Sequence, residues 1–319
     1  MLQIMTTFSK QQMAVLSAET GFLRDNLEKV LRLSEILSSF EHNAMLNSRF
    51  VLKGGTAINL TIFEMPRLSV DIDLDYCNDC DREEMLYERG QANAIILSMM
   101  ENNGYTLSPS TKSPHSLDSW VFSYTNCGGN RDNIKIEINY SMRCHILNPV
   151  VRTTSVPFLP VVKIRTLAPL ELFGSKIKAL VERAACRDLY DVSNMIDLSV
   201  FSDNDLPLLC KIVVFYLMVG GNGIKAHCIP FQKISDINFR QIRASLIPVL
   251  RKSERFNFED SKQKVMRFLS ELLILSDDEL SFIDYFNQGI YRPELLFQNQ
   301  EIISRIKNHP MAIWKMKDK

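Results

Sequence analysis

Three acidic side chains stand at every second position between residues 71 and 75, the spacing of one face of a β-strand. In Val70-Asp71-Ile72-Asp73-Leu74-Asp75, period-two alternation places the apolar side chains on one face and the carboxylates on the other. Because desolvating unpaired carboxylates is costly, such a row is expected to meet a cation. Asp71 and Asp73 therefore predict a divalent-metal site, with Mg²⁺ as the first candidate and Mn²⁺ as the alternative. Substrate phosphates would complete the coordination shell of the metal. The competing interpretation is a solvated edge strand.

A second alternating run supplies a third acid. In Ile134-Lys135-Ile136-Glu137-Ile138-Asn139 the isoleucines face one way and the three polar residues face the other. If the two runs are neighbouring strands, Glu137 can join Asp71 and Asp73 in a two-metal cluster that activates an attacking oxygen and neutralises leaving pyrophosphate. Asp75 shares the acidic face but lies beyond the expected site, so it is left out of the predicted cluster.

A glycine turn precedes the aspartates by about fifteen residues. An apolar run at 50–52 breaks at Lys53-Gly54-Gly55-Thr56 before a segment compatible with a helix. Two glycines between a strand and a helix let backbone N–H groups approach a triphosphate, and the helix N-terminus favours the anion. Thr56 can cap the helix, contact a phosphate, or do both. Glycine pairs also occur in turns for conformational reasons alone, and Lys53 is interpreted equally well as a phosphate contact or as a solvated flank.

The remaining elements must position these groups. Hydrophobic periodicity predicts helices over residues 1–48, with a break at 43–48, and over 81–104, and a long helical stretch from 170 to about 196. A hairpin joins 120–125 to 134–141, 161–166 forms one more strand, and 207–319 is helical. The fold class predicted is α/β (α+β): a small mixed sheet flanked by helices, plus a helical C-terminal domain. The predicted division is an N-terminal helical segment (1–48), a core (49–200) and the C-terminal domain (201–319).

Composition predicts a soluble, cytoplasmic protein. The 319 residues carry 37 basic and 37 acidic side chains, and no apolar run reaches the roughly 18 residues of a membrane span. The first residues lack the pattern of a signal peptide. Seven scattered cysteines fit reduced thiols. Cys77-x-x-Cys80 has no second pair at zinc-site spacing and is interpreted as two unrelated thiols.

Taken together, these motifs resemble a known family. A Gly-Gly-Thr turn, an Arg-x-Ser-x-Asp-x-Asp segment and a later carboxylate strand form the pattern of DNA polymerase β-like nucleotidyltransferases, and more closely that of the AbiEii nucleotidyltransferase toxins of type IV toxin–antitoxin (abortive infection) pairs. The segments that carry the resemblance are Lys53–Ala57, Arg67–Leu74, Ile134–Glu137, Leu172–Leu180 with Arg183, Arg187–Asp191, Pro293–Phe297 and His309–Ala312. The resemblance implies nucleotide transfer from an NTP to an acceptor hydroxyl, with tRNA as acceptor in some members, and a cognate antitoxin partner.

The resemblance also implies roles for individual residues. It places Lys176 at the NTP phosphates and Asp191 as an anchor for a base, a lysine or the metal shell. In a continuous helix, Lys176 and Asp191 lie on or near one stripe with Arg183 and Arg187; a solvated helix face with ordinary ion pairs is the alternative. The residues predicted to bind nucleotide are Gly54, Gly55, Thr56, Arg67, Ser69, Lys135 and Lys176; those predicted to act in catalysis are Asp71, Asp73, Glu137, Lys176 and Asp191.

Ser69 lies two residues before Asp71 and so on the same strand face. We hypothesise that its hydroxyl contacts the phosphates or metal-bound water, and that it can accept a modification that silences the site. The alternative is a local hydrogen bond to backbone.

A basic stretch late in the chain bears on the acceptor. Residues 225–267 hold ten Lys or Arg and four acids, which indicates an RNA-backbone footprint or, equally, a solvated helical surface. Nucleotidylation of a protein hydroxyl is the rival reaction. A rival of another class is a non-catalytic scaffold that senses NTP or binds the antitoxin.

Overall fold

The computed structural model describes residues 8–154, 156–224 and 229–317, and the chain divides into two compact units. The first unit takes the described residues of 1–143, 149–166 and 247–254; the second takes those of 144–148, 167–246 and 255–319. This division departs from the predicted one at residues 48 and 200. The N-terminal helices belong to the unit that contains the sheet, and the helices after residue 167 belong with the C-terminal helices.

The first unit combines five helices with seven strands among its described residues. Its helices are α1 (Lys10–Thr20), α2 (Arg24–His42), α3 (Ala44–Arg49), α4 (Gly54–Thr61) and α5 (Arg82–Asn102). Its strands are β1 (Phe50–Lys53), β2 (Asp71–Cys77), β3 (Thr106–Leu107), β4 (Leu117–Thr125), β5 (Arg131–Arg143), β6 (Val150–Thr153) and β7 (Lys163–Thr166). A short 3₁₀ turn at Ile247–Val249 also belongs to it.

The strands form one mixed sheet in the order β3-β4-β5-β2-β1-β7-β6. β2 lies between β1, to which it is antiparallel, and β5, to which it is parallel. The prediction that the two carboxylate strands are neighbours is therefore confirmed. In their register, Asp71 pairs with Lys135 and Asp73 with Glu137.

One face of the sheet forms the core of this unit. Ile72, Ile134 and Ile136 are completely buried on that face. Helix α2 contacts β5 and β7, while Arg89 of α5 donates to Asp118 of β4 at 2.6 Å. Alternation along each strand therefore leaves the opposite face for the polar side chains.

Residues 247–254 complete the first unit from far along the chain. Leu68 N–H donates to the Val249 carbonyl at 2.8 Å, and Arg67 forms a bridge with Leu250. The Arg251 guanidinium donates to the Thr20 carbonyl at 3.0 Å. The segment that enters β2 is thus held by a strand-like contact that no local sequence signal marks.

The second unit is helical throughout its described residues. Its helices are α6 (Pro169–Arg183), α7 (Cys186–Asp197), α8 (Leu206–Val219), α9 (Phe239–Ser245), α10 (Phe258–Leu272), α11 (Asp277–Asn287), α12 (Gln300–Ile306) and α13 (Pro310–Lys317). Short 3₁₀ turns lie at Gln232–Asp236 and Pro293–Leu295. The helical C-terminal prediction is confirmed for these residues.

The continuous helix predicted over 170–196 is wrong. Ala184 has φ 47 and ψ 49 and ends α6, its N–H donating to the Leu180 carbonyl. Helix α7 then begins at Cys186. The left-handed conformation costs an alanine about 1–2 kcal/mol of stability. No glycine or proline marks the break between residues 183 and 186.

Most other predicted elements are present. The helix predicted at 81–104 is α5, capped by Asp81, and the predicted hairpin is β4 and β5. Two short strands, β3 and β6, are additions to the predicted set, and the expected break at 43–48 is confined to Asn43, which caps α3. Among the described residues, no helix combines the length and apolar character needed to cross a membrane.

Candidate active site

Asp71 and Asp73 stand on the more open face of β2. Both side chains are half-buried, whereas the alternating Ile72 and Leu74 are buried. Asp75, at the next position on the acidic face, is 2% exposed. The three acids therefore differ: two remain accessible, and the third is enclosed.

Each flanking acid on this face meets a lysine. Lys53 Nζ lies 2.5 Å from Asp75 Oδ1, and Lys135 Nζ lies 2.9 Å from Glu137 Oε1. The Lys53 partner explains how Asp75 can be buried, because a buried carboxylate needs a counter-charge. Neither interpretation of Lys53 from sequence anticipates this pair, since the register between β1 and β2 is not a local property of the chain.

The two charges of the Lys135–Glu137 pair remain partly solvated. Their side chains are 38% and 30% exposed, so the ion pair contributes little to stability and can exchange partners readily. Glu137 is the direct register partner of Asp73 on the adjacent parallel strand. The structure therefore brings Asp71, Asp73 and Glu137 to one face, with Lys135 among them.

The donor set fits a divalent cation in part. Among the described residues, no three carboxylate, imidazole or thiol groups already form a cluster of metal-binding geometry. Mg²⁺ is usually held by one or two carboxylates together with water and substrate phosphates, and Asp71 and Asp73 supply such a pair. Glu137, which meets Lys135 through Oε1, can add a third carboxylate to this pair.

The glycine turn lies directly against the acidic strand. Gly54 has φ +69, and a Cβ built there would be 2.5 Å from Asp73 Oδ2. A Cβ on Gly55 would be 2.6 Å from Arg67 Nη2 and 3.1 Å from Ser69 Oγ. Both positions need glycine because a neighbouring side chain occupies the space a Cβ would take.

Thr56 connects the turn to the start of the acidic strand. Its buried hydroxyl donates to the Asp71 backbone carbonyl at 2.5 Å and lies 2.9 Å from Ser69 Oγ. Asn59 Nδ2, one helical turn later, donates to the Gly55 carbonyl at 2.9 Å. The predicted helix-capping role of Thr56 is thus replaced by a bond that ties α4 to the entry of β2.

Helix α4 begins at Gly54 without a side-chain cap from Lys53. Its first N–H groups therefore have no partner of that kind, which is the condition under which a helix N-terminus binds an anion. The first turn contains no acidic side chain to compete for this field. Its neighbour Asp73 would repel a bare anion, so a phosphate here needs a cation beside it.

Arg67 is more deeply placed than the sequence predicts. Its side chain is 2% exposed, and Nη1 donates to the Leu68 carbonyl at 2.9 Å. Its Nη2 lies so close to Gly55 that a Cβ there would be 2.6 Å away, so the guanidinium packs against the turn. A buried arginine also places a fixed positive charge near the backbone of the glycine turn.

Lys176 and Asp191 come together in the second unit despite the break after α6. Lys176 Nζ lies 3.0 Å from Asp188 Oδ1 and 3.1 Å from Asp191 Oδ2, and all three residues are buried. Arg183 Nε donates to Asp188 Oδ2 at 2.7 Å. Burial by itself would raise the pKa of the Asp188 carboxyl, but Lys176 and Arg183 outweigh it and lower that pKa.

Several basic side chains of the stretch at 225–267 contact other residues of the chain. Lys262 is buried and donates to the Ile237 carbonyl at 3.0 Å, and Lys264 pairs with Asp197 at 2.5 Å. Arg251 packs over the Phe22 ring, and Lys225 lies outside the described residues. These contacts account for three of the described basic side chains of the stretch.

Sequence reasoning misses two contributors to these networks. The helix pattern does not distinguish Asp188 from scaffold, yet this residue accepts from both Lys176 and Arg183. The predicted metal cluster omits Asp75, yet Asp75 holds the lysine that begins the glycine turn. The signal for Asp75 is its place in the acidic row, which indicates a partner but not which one.

Comparisons with known proteins agree with this architecture. The family model described as "Nucleotidyl transferase AbiEii toxin, Type IV TA system" matches residues 36–283. Solved structures also match, among them MenT4, a nucleotidyltransferase toxin from Mycobacterium tuberculosis H37Rv, with a TM-score of 0.63 and 15% identity over 97% of this chain and 99% of that one. At this identity the structural likeness shows the fold alone. A comparison with curated proteins finds no match.

Proposed function

We propose that this chain, which belongs to the AbiEii family of nucleotidyltransferase toxins of type IV toxin–antitoxin systems, transfers a nucleotide from an NTP to a hydroxyl of tRNA and releases pyrophosphate. One observation carries the proposal: the accessible carboxylates Asp71 and Asp73 stand beside a helix N-terminus opened by two glycines. Phosphate and divalent metal are the two ligands that such neighbours bind together.

Asp71 and Asp73 would hold Mg²⁺ in this reaction. When bound, the cation would neutralise charge on the attacking and leaving oxygens of the transferred phosphoryl group. Glu137 would add its carboxylate to this pair, and it would also take the proton of the acceptor hydroxyl. The Lys135 ammonium would contact a phosphate of the NTP on the same face.

The glycine turn would hold the phosphate chain. The backbone N–H groups of Gly54 and Gly55 would donate to phosphate oxygens, because no Cβ stands between the ligand and the turn. Thr56 and Ser69 fix the turn against Asp71, so the phosphate contacts and the metal ligands keep a constant separation. Preorganisation of this kind lowers the barrier because little reorientation remains for the reaction itself.

The roles proposed for Lys176 at the NTP phosphates and for Asp191 as an anchor remain predictions. Within the second unit, the Lys176 ammonium is already paired with Asp188 and Asp191. A contact to NTP phosphates would require it to exchange one of these carboxylates for the ligand. The family's cognate antitoxin completes the proposed set of partners.

The test is transfer of label. The full chain is incubated with each α-labelled NTP, Mg²⁺, and total cellular RNA and protein together. Label in tRNA is expected; label in protein would favour the rival acceptor; and NTP binding without transfer would favour a non-catalytic scaffold. The double variant Asp71→Asn/Asp73→Asn should retain its circular dichroism spectrum and lose transfer, and activity in that variant would overturn the assignment of the site.

A further inference from the structure

The face that bears Asp71 and Asp73 continues across β5 and β4. Register pairs place side chains on a common face, and Glu137 pairs with Ser119 as Lys135 pairs with Val121. An additional antiparallel bridge joins Ser119 to Lys112, with backbone bonds of 2.9 and 2.7 Å. Lys112, Ser119, Glu137 and Asp73 therefore stand in one row across the sheet.

The same face reaches the tip of the β4–β5 hairpin. Arg131 pairs with Thr125, and its guanidinium donates to Ser123 Oγ at 3.2 Å. Arg131 and Asn133 are exposed, as is Lys112. Lys135 follows Arg131 by four positions, or about 13 Å along the strand.

The basic side chains of β5 and most of the acidic side chains of β4 and β5 lie on opposite faces of the sheet. The acids of β4 and β5 other than Glu137 lie on the opposite face, where Asp118 pairs with Arg89 and Asp132 with Lys29. Residues 102–117, which include Lys112, contain no Asp or Glu. On β4, β5 and residues 102–117, this face therefore carries cations, hydroxyls and amides, with Glu137 as its acid.

We propose that Lys112 and Arg131, here called the basic strip, bind the phosphate backbone of the acceptor RNA and lead it past Lys135 to the aspartates. The inference rests on the proposed function and names the surface that the acceptor uses. Lysine and arginine neutralise phosphates. Nearby Ser119, Ser123 and Asn133 supply donors and acceptors that suit ribose hydroxyls.

The chemistry of the strip favours RNA over a protein acceptor. Protein interfaces are anchored by buried aromatic or large apolar groups in pockets. The apolar side chains that β4 and the flanking part of β5 place on this face are Leu117 and Val121, both half-buried. The aromatic rings of Trp120, Phe122 and Tyr124 point to the buried face.

The experiment measures binding without turnover. The full chain, with NTP and metal omitted, is titrated with unfractionated bacterial tRNA over a series of salt concentrations. Lys112→Ala and Arg131→Ala are compared with wild type and with Lys163→Ala, a control that removes an exposed cation from β7, away from β4 and β5. Removal of one phosphate-binding cation should reduce the slope of log K against log salt by about 0.7–1.

The strip variants should show this reduced slope and a raised KM for tRNA with an unchanged KM for NTP, whereas Lys163→Ala should match wild type. Wild-type protein that labels tRNA, together with strip variants that keep the wild-type slope, would overturn the strip alone. Label in protein instead of tRNA would overturn the acceptor assignment and the strip with it. NTP transfer by the wild type still stands in either case, so the two failures are distinguishable.

Discussion

The Asp73 carboxylate lies against the backbone of Gly54. A Cβ at residue 54 would approach Asp73 Oδ2 to 2.5 Å, and Gly54 itself has φ +69. Strand β2 and the glycine turn are therefore in direct contact through these two residues. A substitution at Gly54 can therefore test this contact, provided that a second variant controls for loss of stability.

Gly54→Ala should reduce transfer on the order of 100-fold, because displacing a catalytic carboxylate by about 1 Å has that effect. Positive φ also costs alanine about 1–2 kcal/mol of stability. Gly104 has φ +78, and a Cβ added there would meet nothing within 4 Å, so Gly104→Ala is the matched control for strain without a clash. Equal transfer activity in the two variants, measured with labelled NTP, would contradict the role given to the contact.

Thr56→Val should destabilise the protein by about 1–3 kcal/mol, because the Asp71 carbonyl loses its hydroxyl partner. Thr56→Ser keeps the hydroxyl and should lose clearly less. Urea unfolding with an unchanged m-value gives the comparison. A valine variant as stable as the serine variant would show that methyl packing, not the hydrogen bond, accounts for the buried threonine.

Asp188→Asn should lower the free energy of unfolding at pH 7 by up to about 3–5 kcal/mol, since it breaks a buried ion-pair network. The pKa of Asp188 is lowered in the folded state, so its stabilisation is present above the unfolded pKa of about 3.9 and is lost as pH falls through the lower folded pKa. The difference between wild type and variant should therefore shrink in acid. The exposed Asp203→Asn serves as control, and a difference that grew below pH 4 would refute the assignment.

Lys135→Met and Glu137→Gln should change metal binding in opposite directions. Removing the lysine frees Glu137 from a competing cation, whereas the glutamine removes a charged oxygen ligand. Exposed pairs of this kind are worth about 0.2–1 kcal/mol, so the methionine variant should bind Mn²⁺ up to about fivefold more tightly. Electron paramagnetic resonance of Mn²⁺ without NTP provides a readout that does not depend on turnover. Two variants with the same affinity as wild type would remove Glu137 from the ligand set.

Local sequence patterns account for much of the candidate site. Alternation at 70–75 and 134–139 predicts two strands with their polar faces, and the prediction that they are neighbours is confirmed. Period two can be recognised without knowing the fold, because it depends only on strand geometry. Which acid each lysine meets depends on register between strands, and Lys53 therefore could not be assigned to Asp75 in advance.

Other features lack any local signal. Ala184 ends α6 in a left-handed conformation that usually calls for glycine, so periodicity continues through the break and predicts a single helix. Helices α6 and α7 contact each other after the break, and Lys176 Nζ still lies 3.1 Å from Asp191 Oδ2. The membership of 247–254 in the first unit depends on contacts between Leu68 and Val249, which are far apart in sequence.

Residues 247–254 impose an order on the folding of the first unit during synthesis. Domains generally fold as units during synthesis, beginning from the N-terminus, but Leu68 receives its Val249 partner only when that residue has been made. The strand entry that carries Arg67 and leads to the aspartates stays incomplete until then. A chain that has been made only as far as residue 248 therefore lacks the backbone partner of Leu68 in the first unit.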